Sequence, residues 1–420
     1  METVSLSLDR AALVDRFRAG RARSAALFAS IAPSAYYDAP IPLRHPFVFY
    51  DGHLPAFAFL VLHERALHGA PVDERLEKLF ERGIDPSSID AASRHRRNDW
   101  PDRSDVRRFG EACDAAVIDD IAHATLDDPS NPLLVGAEAL FNILEHEPMH
   151  HETLSYIINR LPLDAKRGPA IEVRDLLPKP RAPIAIAAGS ATLGLRRGEA
   201  FGWDNEFEEH VVDVAAFGVD AYDVTNGDYL AFVRDGAAPP PFWFERDGQW
   251  WLSCTYGEIP LPLSWPVYAS HDAAEAFAAW SGARLPTEAE YHRAAFGTPA
   301  GDERAFPWGS LAPAAQHGNF DFRRFDPEPA GSSPAGASAW GVEDLIGNGW
   351  EWTSTPFAPF DGFVPMASYP QYSADFFDGR HYVMKGASPV TATALIRRSF
   401  RNWFFADYPY MYATFRRVYD

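Results

Sequence analysis

Two histidines four residues apart are the first residues in this sequence that could do chemistry. His146 and His150 stand in a stretch, residues 137–160, whose apolar side chains recur every three or four positions, as they do on an amphipathic helix. Side chains at positions i and i+4 leave the same face of a helix one turn apart. Two neutral imidazoles in this arrangement predict a site for one divalent metal ion.

A third metal ligand must come from another helix. His53 is the best candidate, because it lies near the start of a predicted helix in an apolar segment, where an imidazole is costly unless it has a partner. On the sequence alone His45, His63 and His68 compete with it. Three neutral imidazoles with open coordination positions suit iron(II) or zinc.

The segment 146–150 (HEPMH) also matches the HExxH pattern of zinc proteases, in which Glu147 would be the general base. Three residues count against that function. Pro148 lies inside the motif, while Thr153 and Tyr156 stand where the extended pattern has glycine and a third histidine. The sequence therefore favours a metal site of another class.

Length and composition limit the class of protein. A chain of 420 residues, 47% hydrophobic and 23% charged, predicts two or three soluble domains. The net charge of −20 argues against nucleic-acid and membrane partners, because an acidic surface repels phosphate. The sequence has no long apolar run and no signal-peptide pattern, so a cytoplasmic location is expected. Cys113 and Cys254 are its only two cysteines, which excludes a disulfide framework and a cysteine-rich zinc site.

The chain divides into two parts of different character, which together predict an α+β fold. Residues 1–165 have the helical period and predict a four-helix bundle, in which metal ligands come from facing helices; Pro55 is expected in the first turn of the second helix. Residues 166–183, rich in proline and basic side chains, are expected to be a linker. In residues 184–420 short strand-like runs alternate with turns, and only 226–234 and 271–280 read as helices.

Six segments of the second part carry a family resemblance. In chain order they are residues 201–206 (FGWDNE), 222–226 (YDVTN), 284–290 (RLPTEAE), 347–353 (GNGWEWT), 385–388 (KGAS) and 398–403 (RSFRNW). They resemble the formylglycine-generating-enzyme-like (sulfatase-modifying factor) domain, which implies a C-type-lectin-like mixed fold rich in irregular structure. Preceded by a DinB-like bundle with the histidine pair, the whole chain resembles the ergothioneine-type sulfoxide synthases and their selenoneine-forming relatives.

The resemblance implies a non-haem iron(II) enzyme. Members of this family use dioxygen to join sulfur or selenium to the imidazole C2 carbon of hercynine, which is trimethylated histidine. By resemblance the Fe(2+) ligands are His53, His146 and His150, and Tyr369 is the catalytic donor of a proton or hydrogen. Formylglycine generation itself uses copper held by a cysteine pair near the C-terminal arginines. Because no cysteine follows Cys254, the resemblance is to the scaffold of that domain.

The resemblance also implies a binding site for hercynine. Tyr372, Asn402 and Trp403 match the residues of the family that contact it. A trimethylammonium group has no N–H to donate, so it is held by dispersion and cation–π contact with an aromatic face such as that of Trp403.

Departures from the family pattern bear on the second substrate. Mycobacterial-type members grip the charged donor γ-glutamylcysteine with an acid and an arginine, where this chain has Phe404 and Tyr408. Each lost charge-assisted bond would cost about 1.5–3 kcal/mol, whereas an uncharged selenosugar can stack on aromatic rings. Met149 replaces a glutamine of some synthases, and Arg103, in one loop with Arg96 and Arg97, is a further candidate for donor contact. The sequence therefore favours a selenoneine synthase that joins a selenosugar to hercynine.

Three other functions stay open. The runner-up is a sulfoxide synthase that joins γ-glutamylcysteine or cysteine to hercynine. The others are a betaine-binding module without catalysis and a thiol-dependent DinB-type transferase that uses zinc.

The histidines and Trp403 belong to different parts of the chain. Catalysis is therefore expected to need both the helical part and the second part.

Overall fold

The computed structural model describes residues 8–42, 44–81, 99–176 and 181–420. The chain forms two compact units. The first is Met1–Pro169 with Ala367–Tyr369, and the second is Ala170–Met366 with Pro370–Asp420. The first is helical and the second contains the sheets, so the predicted α+β class is confirmed. Among the described residues, no helix has the length and apolarity needed to cross a membrane.

In its described residues, the first unit contains the predicted helices and one more. Its α-helices are α1 (Arg10–Ala29), α2 (Phe47–Ala58), α3 (Glu74–Phe80), α4 (Arg103–His123) and α5 (Glu138–Asn159). Helix α2 runs on into a π-helical segment, Phe59–Ala66. Short 3-10 turns lie at Pro33–Ala35, Val135–Ala137 and Leu163–Ala165. Helix α3 was not predicted from the sequence.

The prediction for Pro55 was wrong. Helix α2 begins at Phe47, after Pro46 at its N-cap, so Pro55 lies in the interior of the helix. The residues from Phe47 to Ala58 are almost all buried. A helix that is buried on every side has no alternation of apolar and polar residues, so the sequence does not show where the helix begins. The helix tolerates the proline because its tertiary packing outweighs the lost backbone hydrogen bond.

Part of the predicted linker, 166–183, packs against the second unit. The indole of Trp265 donates to the carbonyl of Arg174 at 2.7 Å. The carboxylate of Asp175 accepts the backbone N–H of Ser264 at 2.9 Å. Residues 170–176 are therefore held to the second unit by hydrogen bonds.

The second unit is built from short strands and short helices. Its strands are β1 (Ile184–Ile186), β2 (Gly189–Leu193), β3 (His210–Val214), β4 (Phe217–Val219), β5 (Trp243–Arg246), β6 (Gln249–Cys254), β7 (Gly257–Pro260), β8 (Gly349–Pro356), β9 (His381–Ala387), β10 (Asn402–Phe405), β11 (Ala413–Thr414) and β12 (Val418–Tyr419). Its helices are α6 (Asn226–Arg234), α7 (His271–Trp280), α8 (Glu288–Ala295) and α9 (Gln371–Ala374). Helices α6 and α7 were predicted, whereas α8 was missed although Thr287 and Glu290 form a capping box at its start.

The strands form four small sheets in the described residues. Their orders are β1–β4–β12, β10–β9–β8–β11, β2–β3 and β5–β6–β7. In the four-stranded sheet β9 pairs antiparallel with both β8 and β10, and β11 runs parallel to β8. This sheet positions Asn402, Trp403 and Phe404, which the sequence analysis assigned to the substrates.

A buried arginine joins two of the family motifs. The Arg416 guanidinium lies 3.0 Å from a carboxylate oxygen of Asp223 and 2.5 Å from one of Glu351. Burial alone would lower the pKa of Arg416, but the two carboxylates raise it above its ordinary value. The acids of the YDVTN and GNGWEWT motifs therefore stabilise the fold through this ion cluster.

We expect Arg416→Ala to lower the free energy of unfolding by about 3–5 kcal/mol, because it leaves two buried carboxylates without a counter-ion. Chemical unfolding followed by tryptophan fluorescence measures this, since Trp100 is the only one of the 12 tryptophans outside the second unit. The control is Arg417→Ala, which breaks a partly exposed pair with Asp220 and should cost under about 1 kcal/mol. Equal losses in the two variants would contradict the role given to Arg416.

Candidate metal centre

Three histidines converge inside the first unit. His53 comes from α2, and His146 and His150 come from α5. The ligand nitrogens of the three rings all lie within 4.8 Å of one another, and the Nε2 atoms of His146 and His150 are 3.1 Å apart. The three sequence-predicted metal ligands therefore meet at one point.

The competing histidines have other contacts. His63 pairs through Nδ1 with the carboxylate of Asp120 at 2.8 Å. The ring of His45 packs on Phe49, with centroids 4.0 Å apart. Neither His63, His45 nor His68 belongs to the three-histidine group found in the described residues.

The tautomer of His53 is fixed by a backbone carbonyl. Its Nδ1 lies 2.8 Å from the carbonyl oxygen of Phe80, at the end of α3. A carbonyl only accepts, so Nδ1 carries the hydrogen and Nε2 keeps the lone pair that a metal requires. Gly52 makes this contact possible, because a Cβ there would lie 2.4 Å from the Phe80 ring.

The two histidines of α5 are held in their neutral form. Burial lowers the pKa of His146 well below its ordinary value, and the neighbouring imidazoles lower it further. Burial and the neighbouring His53 have the same effect on the pKa of His150. His146 also stacks on Phe57, with centroids 3.5 Å apart, which fixes its ring plane. Three neutral imidazoles with converging nitrogens fit a divalent transition metal, because a metal needs the unprotonated ring.

Glu147 does not serve this group. Its carboxylate forms an ion pair with Arg21 of α1 at 2.7 Å and accepts the hydroxyl hydrogen of Ser24. Burial alone would raise the pKa of Glu147, but Arg21, His151 and Ser24 lower it to about 2. The residue that a zinc protease would use as its base is therefore a structural ion-pair partner.

Tyr369 belongs to the first unit. It lies within residues 184–420, the second part of the chain, but the segment Ala367–Tyr369 packs with the helices. Its ring centroid lies 6.3 Å from that of His146 and 5.3 Å from that of Phe57. The predicted catalytic donor thus stands beside the histidine group.

Three of the predicted substrate residues lie close together in the second unit. Tyr372 stacks on Trp203, with centroids 4.0 Å apart, and meets Trp403 edge-on at 5.1 Å. Trp403 stacks on Phe357 at 4.3 Å, and its backbone N–H donates to the Oδ1 of Asn402 at 2.9 Å. Sequence reasoning missed Trp203 and Phe357, although the motif FGWDNE contains Trp203.

Phe404 and Tyr408 form a separate pair. Their rings stack with centroids 4.9 Å apart. Along β10 successive side chains point to opposite faces of the sheet, so Phe404 and Trp403 point to opposite faces. The residues predicted for the donor and for hercynine therefore do not form one aromatic cluster.

Two further predicted residues, Met149 and Arg103, lie on helices of the first unit. Met149 is half-buried on α5, next to His150. Arg103 begins α4, lies 4.7 Å above the ring of Tyr36, and lines a cleft of about 400 Å³. Arg96 and Arg97 lie outside the described residues.

The fold and the site define a class, a helical three-histidine unit joined to a domain of the sulfatase-modifying factor type. Residues 173–420 match the family model of the sulfatase-modifying factor enzyme 1-like domain. The hercynine oxygenase of Mycobacterium tuberculosis is 40% identical over 235 residues, which cover 51% of this chain and 54% of that protein. The hercynine oxygenase of Mycolicibacterium smegmatis is 35% identical over 341 residues, 73% of this chain and 75% of that protein.

A third relative extends the similarity along the chain. Ergothioneine biosynthesis protein 1 of Schizosaccharomyces pombe is 30% identical over 425 aligned residues, 91% of this chain and 52% of that protein. The chain thus matches about half the length of the tuberculosis and yeast proteins and three quarters of the smegmatis protein. It belongs to the ergothioneine-type sulfoxide synthase family.

We expect Gly52→Ala to weaken metal binding by about 10- to 100-fold, because the added methyl displaces Phe80 and removes the hydrogen bond that orients His53. Anaerobic titration with iron(II), or with cobalt(II) as a probe, measures the affinity. Gly20→Ala on α1 is the matched control, because its Cβ would meet its nearest neighbour at an ordinary 3.5 Å. The same affinity in both variants would show that the carbonyl of Phe80 has no orienting role.

Proposed function

We propose that this protein is an iron(II)-dependent enzyme that uses dioxygen to join a sulfur or selenium donor to the imidazole C2 carbon of hercynine. The observation that carries the proposal is the convergence of His53, His146 and His150, with Tyr369 beside His146. The choice of hercynine is supported by the relatives, two of which are named hercynine oxygenases.

The three histidines would hold the iron. Three neutral ligands leave the charge of a divalent ion uncompensated, and this favours an anionic thiolate or selenolate as a further ligand. Bound iron would supply the activation of dioxygen that oxidises the donor. The protein's own part is to keep His146 and His150 unprotonated by burial and to orient His53 through the carbonyl of Phe80.

Tyr369 would move the proton or hydrogen that the oxidation requires. Its phenol belongs to the same unit as the histidines, and its ring is held beside Phe57 and His146. A positioned donor of this kind contributes typically 10²- to 10⁴-fold to a rate.

The aromatic cluster of the second unit would bind the trimethylammonium group of hercynine. Tyr372, Trp203, Trp403 and Phe357 place ring faces and edges within about 5 Å of one another. Such faces attract a quaternary ammonium, which no hydrogen-bond acceptor can hold. Asn402, next to Trp403 on β10, offers an amide to a polar part of the substrate.

The donor has two candidates. A thiol donor, γ-glutamylcysteine or cysteine, agrees with the relatives named for ergothioneine biosynthesis. A selenosugar is favoured by the stacked, uncharged pair Phe404 and Tyr408, which occupies the two positions where the family resemblance implies a charged clamp. The opposite facing of Phe404 and Trp403 weakens that support, because the pair is separate from the proposed hercynine cluster.

Aerobic assays of the iron-loaded protein decide between the donors. Hercynine is offered with γ-glutamylcysteine, cysteine or a selenosugar, and the products are identified by mass spectrometry. A carbon–selenium product that requires oxygen would establish the selenoneine synthase. Turnover with γ-glutamylcysteine and none with the selenosugar would establish the sulfoxide synthase instead. Hercynine binding without any product would point to a betaine-binding module, and zinc-dependent activity without oxygen to a transferase.

We expect Tyr369→Phe to lower kcat by about 100-fold or more while iron affinity stays unchanged, because the variant removes a proton or hydrogen donor and no metal ligand. The control is Tyr419→Phe, whose hydroxyl bonds to Asp220 in the second unit. Steady-state kinetics and anaerobic iron titration measure the two quantities. Wild-type kcat in Tyr369→Phe would exclude the phenol from the chemistry.

A further inference from the structure

One face of α5 carries four functional positions. Glu138, Asn142, His146 and His150 follow one another at intervals of four residues along this helix. Side chains at that spacing lie on neighbouring turns of the same face. The first two turns present a carboxylate and an amide, and the next two present the candidate metal ligands.

The carboxylate and the amide both bind Ser368. The backbone N–H of Ser368 donates to an oxygen of Glu138 at 2.8 Å. The amide nitrogen of Asn142 donates to the hydroxyl oxygen of Ser368 at 2.9 Å. Asn142 and Ser368 are both buried. Two bonds, one to the backbone and one to the side chain, fix both the position and the orientation of this residue.

Tyr369 follows Ser368 directly in the chain. Its ring lies beside Phe57 and His146. His146 lies one helical turn beyond Asn142 on α5. Because the anchors and the metal ligands belong to one helix, the spacing between them is set by the rise of about 1.5 Å per residue. The helix thus fixes where the phenol stands relative to the histidines.

We propose that Glu138 and Asn142 are positioning residues, which act through Ser368 to hold the phenol of Tyr369 at the separation from the histidines that the reaction requires. This inference rests on the proposed function of Tyr369 as the donor. It assigns to the first half of α5 a role that neither the histidine motif nor the family resemblance indicated.

The first test is a kinetic double-mutant comparison. We expect Asn142→Ala to lower kcat about 10- to 100-fold with little change in the KM for hercynine, because a displacement near 1 Å can cost about 100-fold. In a Tyr369→Phe background the same substitution should have no further effect, because the group through which it acts is gone. The control is Asn131→Ala, which removes a 2.9 Å bond to the carbonyl of Ala66 in the same unit and should leave kcat unchanged.

The second test does not depend on activity. Amide hydrogen exchange at Ser368 is measured in the metal-free protein, where we expect Glu138→Ala to speed exchange by at least about tenfold. Glu138→Gln keeps an acceptor oxygen and should restore most of the protection.

The outcomes separate this inference from the proposed function. Wild-type kcat in Asn142→Ala, an undiminished effect of that substitution in Tyr369→Phe, or unchanged exchange in Glu138→Ala would each overturn the positioning role while leaving the oxygenase in place. Absence of turnover with every donor, together with faster exchange in Glu138→Ala, would reject the proposed function and reduce the contact to a structural anchor.

Discussion

The first unit depends on keeping three imidazoles uncharged in a buried place. A proton on His146 or His150 would be expensive there, and the neighbouring imidazoles would add repulsion to the cost. The surroundings supply what neutral rings need, a carbonyl for the N–H of His53 and an aromatic face for His146. Helix α2, which carries His53, is stabilised by its apolar packing more than by the helix propensity of its residues. It can therefore contain Pro55 in its interior.

In the second unit the motifs that carry the family resemblance act mainly as internal supports. Lys385 of the KGAS segment donates to the carbonyls of Arg398 and Phe400, and burial lowers its pKa to about 8. Glu288 of RLPTEAE pairs with Arg401, which directly precedes β10. These buried charges hold the strand that presents Asn402 and Trp403. Charged residues that a motif search would suspect of catalysis therefore support Asn402 and Trp403 indirectly, through the backbone.

Features set by residues close together in the sequence could be predicted, whereas features set by residues far apart in the sequence were missed or needed the structure to be decided. The spacing of His146 and His150 is a local signal, so the pair could be found from helical geometry alone. His53 was predicted as the third ligand, but only the packing of α2 against α5 shows that it, and not His45, His63 or His68, reaches the pair. Asn142 and Ser368 are 226 positions apart, and no periodicity connects them. Tyr369 lies in the part of the chain that matches the sulfatase-modifying factor model, and only tertiary packing shows that its short segment lies among the helices.

Pro148 interrupts the backbone hydrogen bonds of the helix that carries two of the candidate metal ligands. It lies inside α5, between His146 and His150, and has no N–H to offer the carbonyl one turn earlier. A helix that lacks this one backbone hydrogen bond bends more readily there than elsewhere. The turn of α5 that carries His146 therefore depends on side-chain packing to hold its shape, because one of its backbone hydrogen bonds is missing.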